Sequence, residues 1–291
     1  MSTTVRPVTT AGIGLAVCVA AGTVSSLGSS IQIFALGWRA SGYGAHAAGL
    51  VATFGTLPQV LLMLIGGAAA DRYGIRRVMI SCDAFLAATL AVALVILRIQ
   101  PAGLIVIIAL SVIGSAVSAF YLPAAGGFVR LFVTPDRLPR VLARVGSLQQ
   151  LARLLGPSLG AVLVITVGLP GVIALDLISF LVVLAAFLII RPPFSLQSPD
   201  ARPEKMITGV LTALRAALRT PGMPASLAAV SLVAGSVLPI LYLIVPLDVR
   251  ARQWGAAAAG WLESAWVVGT LGVTVIVAVL GVHRRTGLMI T

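Results

Sequence analysis

Charge is what this sequence has least of. Only 10% of its 291 residues are charged, where a soluble domain carries about a quarter. Acid is scarcer still, with 8 Asp and Glu against 20 Lys and Arg. Cysteine and histidine are down to 2 each. No CxxC pair and no Cys/His cluster occurs, which excludes a zinc site or a disulfide framework and leaves no metal or cofactor to be expected. No Walker-type loop is present and His46 and His283 stand at the ends of apolar runs rather than within them, so neither ATP hydrolysis nor His-assisted catalysis has its residues; the chain is not read as an enzyme. The net charge of +12 does not signal nucleic acid, because no basic stripe with interleaved aromatics lies on a polar face.

What is abundant is hydrophobic sequence, 59% of the chain. A helix needs about 20 apolar residues to cross a bilayer. Eight segments qualify: 11–36, 45–70, 78–97, 103–122, 140–167, 172–190, 224–247 and 256–282. The runs are continuous rather than alternating, which excludes the strands of a β-barrel. The first run is too long for a signal peptide and is followed by more spans, so it reads as a helix that stays. The fold class is therefore an all-α polytopic membrane protein.

Lys and Arg set the orientation. With the N-terminus in the cytoplasm, most of them fall inside. Arg39, Arg98, Arg250 and Arg252 fall outside, and Arg153 lies within a span. The spans divide the chain into a six-helix bundle (1–190), a linker (191–221) and a two-helix segment (222–291). The linker opens on Arg191-Pro192-Pro193 and then turns amphipathic from Glu204 to Arg219, as a helix lying on the membrane surface would.

Between the second and third spans the chain reads Gly66-Gly67-Ala68-Ala69-Ala70-Asp71-Arg72-Tyr73-Gly74-Ile75-Arg76-Arg77. Small residues allow helices to approach closely, and Gly74 permits a tight turn. One acid among three arginines can form ion pairs that differ between two packing states. This stretch resembles the signature of the major facilitator superfamily, with Gly67, Asp71, Arg72, Gly74, Arg76 and Arg77 in register. Thr56-Leu57-Pro58-Gln59, Phe120-Tyr121-Leu122-Pro123-Ala124, Pro135-Asp136-Arg137-Leu138 and Leu175-Asp176 with Ser179-Phe180 resemble its exporter branch of siderophore and macrolide efflux proteins. Leu154-Leu155-Gly156-Pro157-Ser158-Leu159-Gly160 resembles the antiporter motif, with Gly156, Pro157 and Gly160 matching and Ala161 standing where a further glycine is usual. The arginine that many drug–proton antiporters carry in the fourth helix is absent, since that span holds no charge before Arg130.

The resemblance implies two six-helix halves with the substrate between them, so six spans plus two look like a first bundle and an incomplete second one. It implies a secondary transporter that exports amphipathic small molecules (drug, macrolide or siderophore-like) by alternating access. Its partners would be the bilayer of the cell membrane, the substrate and protons. Two other readings stay open: a truncated, transport-incompetent remnant, and the membrane subunit of a primary transporter.

Ionisable groups inside a membrane are costly and are functional candidates by default. Asp83, Arg153, Asp176 and Glu263 qualify. Asp83 and Arg153 lie at comparable depth and are candidates for a cross-helix ion pair, Arg76 or Arg77 being the other partners within reach of Asp83. Asp176 sits near the outer end of the sixth span, which suggests an interfacial or capping role. Glu263, among Trp261, Ser264 and Trp266, reads either as a proton carrier or as an exposed helix-end acid. Gln32, Gln59 and Gln149, with Gln150, are candidates for a polar cavity wall.

Overall fold

Proline and glycine decide where the apolar runs break into helices. The computed structural model describes residues 8–99, 103–190 and 240–280, with scattered positions between 192 and 232. Among the described residues the regular structure is helical throughout. Helix α1 (Val8–Ser41) is the first span. The second span is α2 (Ala45–Phe54) followed by α3 (Leu57–Tyr73). Then come α4 (Ile75–Ile99), α5 (Leu104–Phe128) with a short 3₁₀ turn (Val129–Leu131), α6 (Leu138–Thr166) and α7 (Gly168–Ile189). A π-helical turn (Ile240–Ile244) leads into α8 (Val245–Ala251) and α9 (Gly255–Leu280). Six stretches among the described residues are long and apolar enough to cross a membrane, the α2–α3 pair counting as one. The eighth expected span falls on the 26-residue helix α9, which is not among those six. Most of the seventh, the amphipathic linker helix and residues 281–291 lie outside the described residues.

The second span is not the single continuous helix its hydropathy suggests. It breaks at Gly55 and Thr56, because Pro58 has no N–H to donate and its ring would clash with the carbonyl four residues back. Pro58 instead takes the first turn of α3, where a missing donor costs nothing. The chain then reverses at Gly74, whose φ of 90° closes α3 through its N–H to the Ala70 carbonyl at 3.0 Å. A side chain there would be strained.

Helix α1 packs against α6 and α7, α4 against α5 and α7, and α3 against α5. Leu90, Ile107, Val172, Ile173 and Val183 are fully buried at the centre of this bundle. Val60, Leu61, Ile105 and Ile189 point outward and stay uncovered, which suits hydrocarbon rather than water. A second, smaller cluster joins Phe34 of α1 and Ala161 of α6 to Val249, Ala256 and Ala259. It ties α8 and α9 to the six-helix bundle.

Candidate functional site

The site is a helix seam, and glycines make it. On α6, an added Cβ at Gly156 would collide with Ser30 of α1, and one at Gly160 would stand 3.0 Å from the Phe34 ring and 3.1 Å from the Ile31 carbonyl. Pro157 between them is buried. The other face of the same stretch receives α9. A Cβ on Gly260 would lie 2.7 Å from the Pro157 carbonyl oxygen and 2.8 Å from the Ala161 methyl. Ser264, one turn on, donates to the Leu154 carbonyl at 2.9 Å and shares a 2.8 Å hydrogen bond with Ser158. Further along, the Gln150 amide donates to Thr270 Oγ1 at 3.2 Å. The antiporter-like motif thus places α6 between α1 and α9 at backbone contact. Gly260 and Ser264 were not singled out as a seam from sequence, although their four-residue spacing of small side chains is the usual mark of such contact.

The loop motif sits at the far end of the bundle. Asp71, Arg72 and Arg77 are exposed, and Asp71 has no ion-pair partner among the described residues, where the ion pairs are Asp136–Arg137 and Asp248–Arg252. Arg72 stands over the Tyr73 ring at 5.5 Å. Arg76 turns inward instead. Its Nη2 donates to the carbonyls of Phe187 at 2.6 Å, Leu188 at 3.3 Å and Ile190 at 3.4 Å, capping the C-terminus of α7 with a positive charge. Of the two adjacent glycines, Gly66 is the packed one, meeting the Ala119 backbone, and Gly67 faces open space among the described residues. On the same side, the Thr134 hydroxyl beside Asp136 holds that exposed carboxyl below its ordinary range.

The intramembrane charges fall out differently from expectation. Asp83 is completely buried, and neither carboxylate oxygen has a hydrogen-bond partner among the described residues. Arg153 is exposed and Arg76 is engaged with α7, so the cross-helix ion pair is not formed with either. Asp176 is no interfacial group: it is 1% exposed, eight residues into α7. Gly28 of α1 lies against it, so that a Cβ there would be 2.5 Å from Asp176 Oδ1. Ser179 donates to the same oxygen at 3.0 Å. Glu263 is 7% exposed, which removes the exposed helix-end reading. Gln32, Gln59 and Gln149 are half-buried. Gln59 serves the packing through its backbone N–H, which donates to Ser115 Oγ at 3.0 Å.

A helical bundle with six segments built to cross a membrane, joined at glycine-lined seams to further helices, defines a multi-pass membrane protein. The sequence profile described as the Major Facilitator Superfamily matches residues 18–290. The chain belongs to that superfamily. It is 28% identical over 263 residues to the multidrug efflux pump Tap of Mycolicibacterium fortuitum, covering 86% of this chain and 63% of the relative. It is 28% identical over 127 residues to the uncharacterised transporter YkuC of Bacillus subtilis (strain 168), covering 44% of this chain and 29% of that protein. The chain therefore spans less than two thirds of the length of either relative.

Proposed function

We propose that this protein is a secondary transporter of the cytoplasmic membrane that exports amphipathic small molecules, with its N-terminus inside. The mechanism is alternating access, in which two helical bundles rock about a site near the midplane. The observation that carries the reading is the α6–α9 seam. It runs from Ala161 and Gly260 at the outer ends of these helices to Gln150 and Thr270, while α6 between Arg140 and Leu148 is largely exposed. A seam held at backbone contact around Ala161 and Gly260 suits a bundle pair closed at that end. Multidrug efflux by the Mycolicibacterium relative supports a broad amphipathic substrate class. Proton drive is proposed with Glu263 as the first acid to test, since it is buried on α9 one residue from the seam serine.

The test is efflux of a panel of cationic and neutral amphipathic drugs from cells making this chain. Expression should lower drug accumulation, and Asp71→Asn should cut that effect several-fold at equal membrane abundance. Collapse of the proton gradient should abolish it. Unchanged accumulation across the panel would refute the export reading, and full activity in Asp71→Asn would remove the gating role of the loop.

A further inference from the structure

The outer end of α1 carries a contact that neither the loop motif nor the seam explains. Helix α1 ends at Ser41, and the last carbonyls of any helix lack partners inside it. Three of them are met locally, since Gly42, Tyr43 and Gly44 donate their N–H groups to Arg39, Ala40 and Ser41. The Trp38 carbonyl is met from a distance. Arg250, on α8, donates to it from Nη2 at 2.8 Å and to Ser41 Oγ from Nε at 3.0 Å. Ser41, itself buried, donates to the same Trp38 carbonyl at 2.8 Å, which closes the triangle. The guanidinium also lies 4.3 Å from the centre of the Trp38 ring, in cation–π range.

What balances the charge of Arg250 decides how firmly it holds. Asp248, the nearest acid in sequence, is engaged with Arg252 at 2.9 Å. Partial burial, with the charge of Arg39 nearby, draws the Arg250 guanidinium below its ordinary value, though an arginine stays protonated at any physiological pH. Arg250 is therefore held by a helix C-terminus, a hydroxyl and a π-face, all neutral groups. Such a hold is specific in geometry and weaker than a buried carboxylate pair. Beside it, Val249 is fully buried in the cluster that contains Phe34, so the outer ends of α1 and α8 are joined by one apolar pin and one polar clasp.

We propose that Arg250 is a releasable latch, clasping the C-terminus of α1 to α8 when the outer face is closed and letting go when that face opens. The latch rests on the alternating-access reading for its purpose, not for its existence. A neutral set of acceptors suits the role, because water can replace each of them once the ends part, leaving no buried charge stranded.

The test uses the full chain in intact cells, with Ala259→Cys as reporter. Ala259 is fully buried in the outer cluster, and the chain without the reporter, whose Cys18 and Cys82 are buried, is the blank. A membrane-impermeant maleimide is added from outside. Arg250→Ala should raise labelling of the reporter roughly tenfold, as expected for loss of a charge-assisted hydrogen bond. Arg250→Lys, which keeps the charge but neither the fork nor the stacking, should fall between. Trp38→Leu keeps the carbonyl and loses the ring, and should also be intermediate. If Arg250→Ala lowers membrane abundance, Arg250→Lys carries the comparison. Labelling unchanged by all three substitutions overturns the latch. A chain that exports nothing, yet shows the graded rise in labelling, would retain the latch and lose the transport reading.

Discussion

Gly28 and Gly67 show how differently two glycines in one membrane bundle can act. Gly28 holds α1 against the Asp176 carboxyl, where an added Cβ would be 2.5 Å from Oδ1 and 2.8 Å from Ser179 Oγ. Neither atom can give easily, because Ser179 is hydrogen-bonded to both the side chain and the carbonyl of Asp176. Gly28→Ala is therefore expected to destabilise the bundle by about 1–3 kcal/mol, the usual range for overpacking a tight contact. Gly67 meets nothing within 4 Å among the described residues, so Gly67→Ala should be neutral or stabilising by up to ~1 kcal/mol through helix propensity. Thermal unfolding in detergent separates the two. Equal melting temperatures for both variants would mean that α1 and α7 are less closely apposed than described. The same carboxyl explains why Asp176 was misplaced from sequence. Counting along α7 gives its depth, but only the absence of a Cβ on α1, some 150 residues earlier, makes room to bury it.

At the scale of elements, the loop motif is less a loop than a clamp on a distant helix end. Arg76 serves three carbonyls at the C-terminus of α7, where a positive charge also meets the helix dipole. Arg76→Gln is expected to cost about 1.5–3 kcal/mol, the range for hydrogen bonds involving a charged group, and Arg76→Lys less. A fall in melting temperature for Arg76→Gln with no fall for the exposed Arg77→Gln would check the assignment. The sequence made the spans legible because hydrocarbon demands long apolar helices, and the motif legible because small residues and charges recur at fixed spacing. It hid what depends on tertiary contact. Pro58 was readable as a family residue but not as the break between α2 and α3, since a hydropathy run does not register a missing donor. Arg76 was readable as charge but not as a cap, because its acceptors lie 111 or more residues further on.

For the whole molecule, the α6–α9 seam makes a prediction that separates folding from movement. Among the described residues the six-helix core draws its buried residues from the segment ending at Phe187 and none from α9, so disturbing α9 should leave that bundle inserted and packed. Gly260 is where the disturbance is largest, because its Cβ would lie 2.7 Å from a backbone oxygen on α6, which cannot swing aside like a side chain. Gly260→Val must therefore push α6 and α9 apart around Pro157 and Ala161, and Ser264 would lose its hold on Leu154 and Ser158. On the proposed export reading, export should fall several-fold or more at unchanged membrane abundance, since alternating access requires one face to close before the other opens. Gly269, which meets nothing within 4 Å among the described residues, provides the control in Gly269→Val. If Gly260→Val exports as well as the unaltered chain, the seam is a static joint and does not carry the proposed rocking motion. If both variants fail alike, the loss reflects β-branching in α9 rather than the seam.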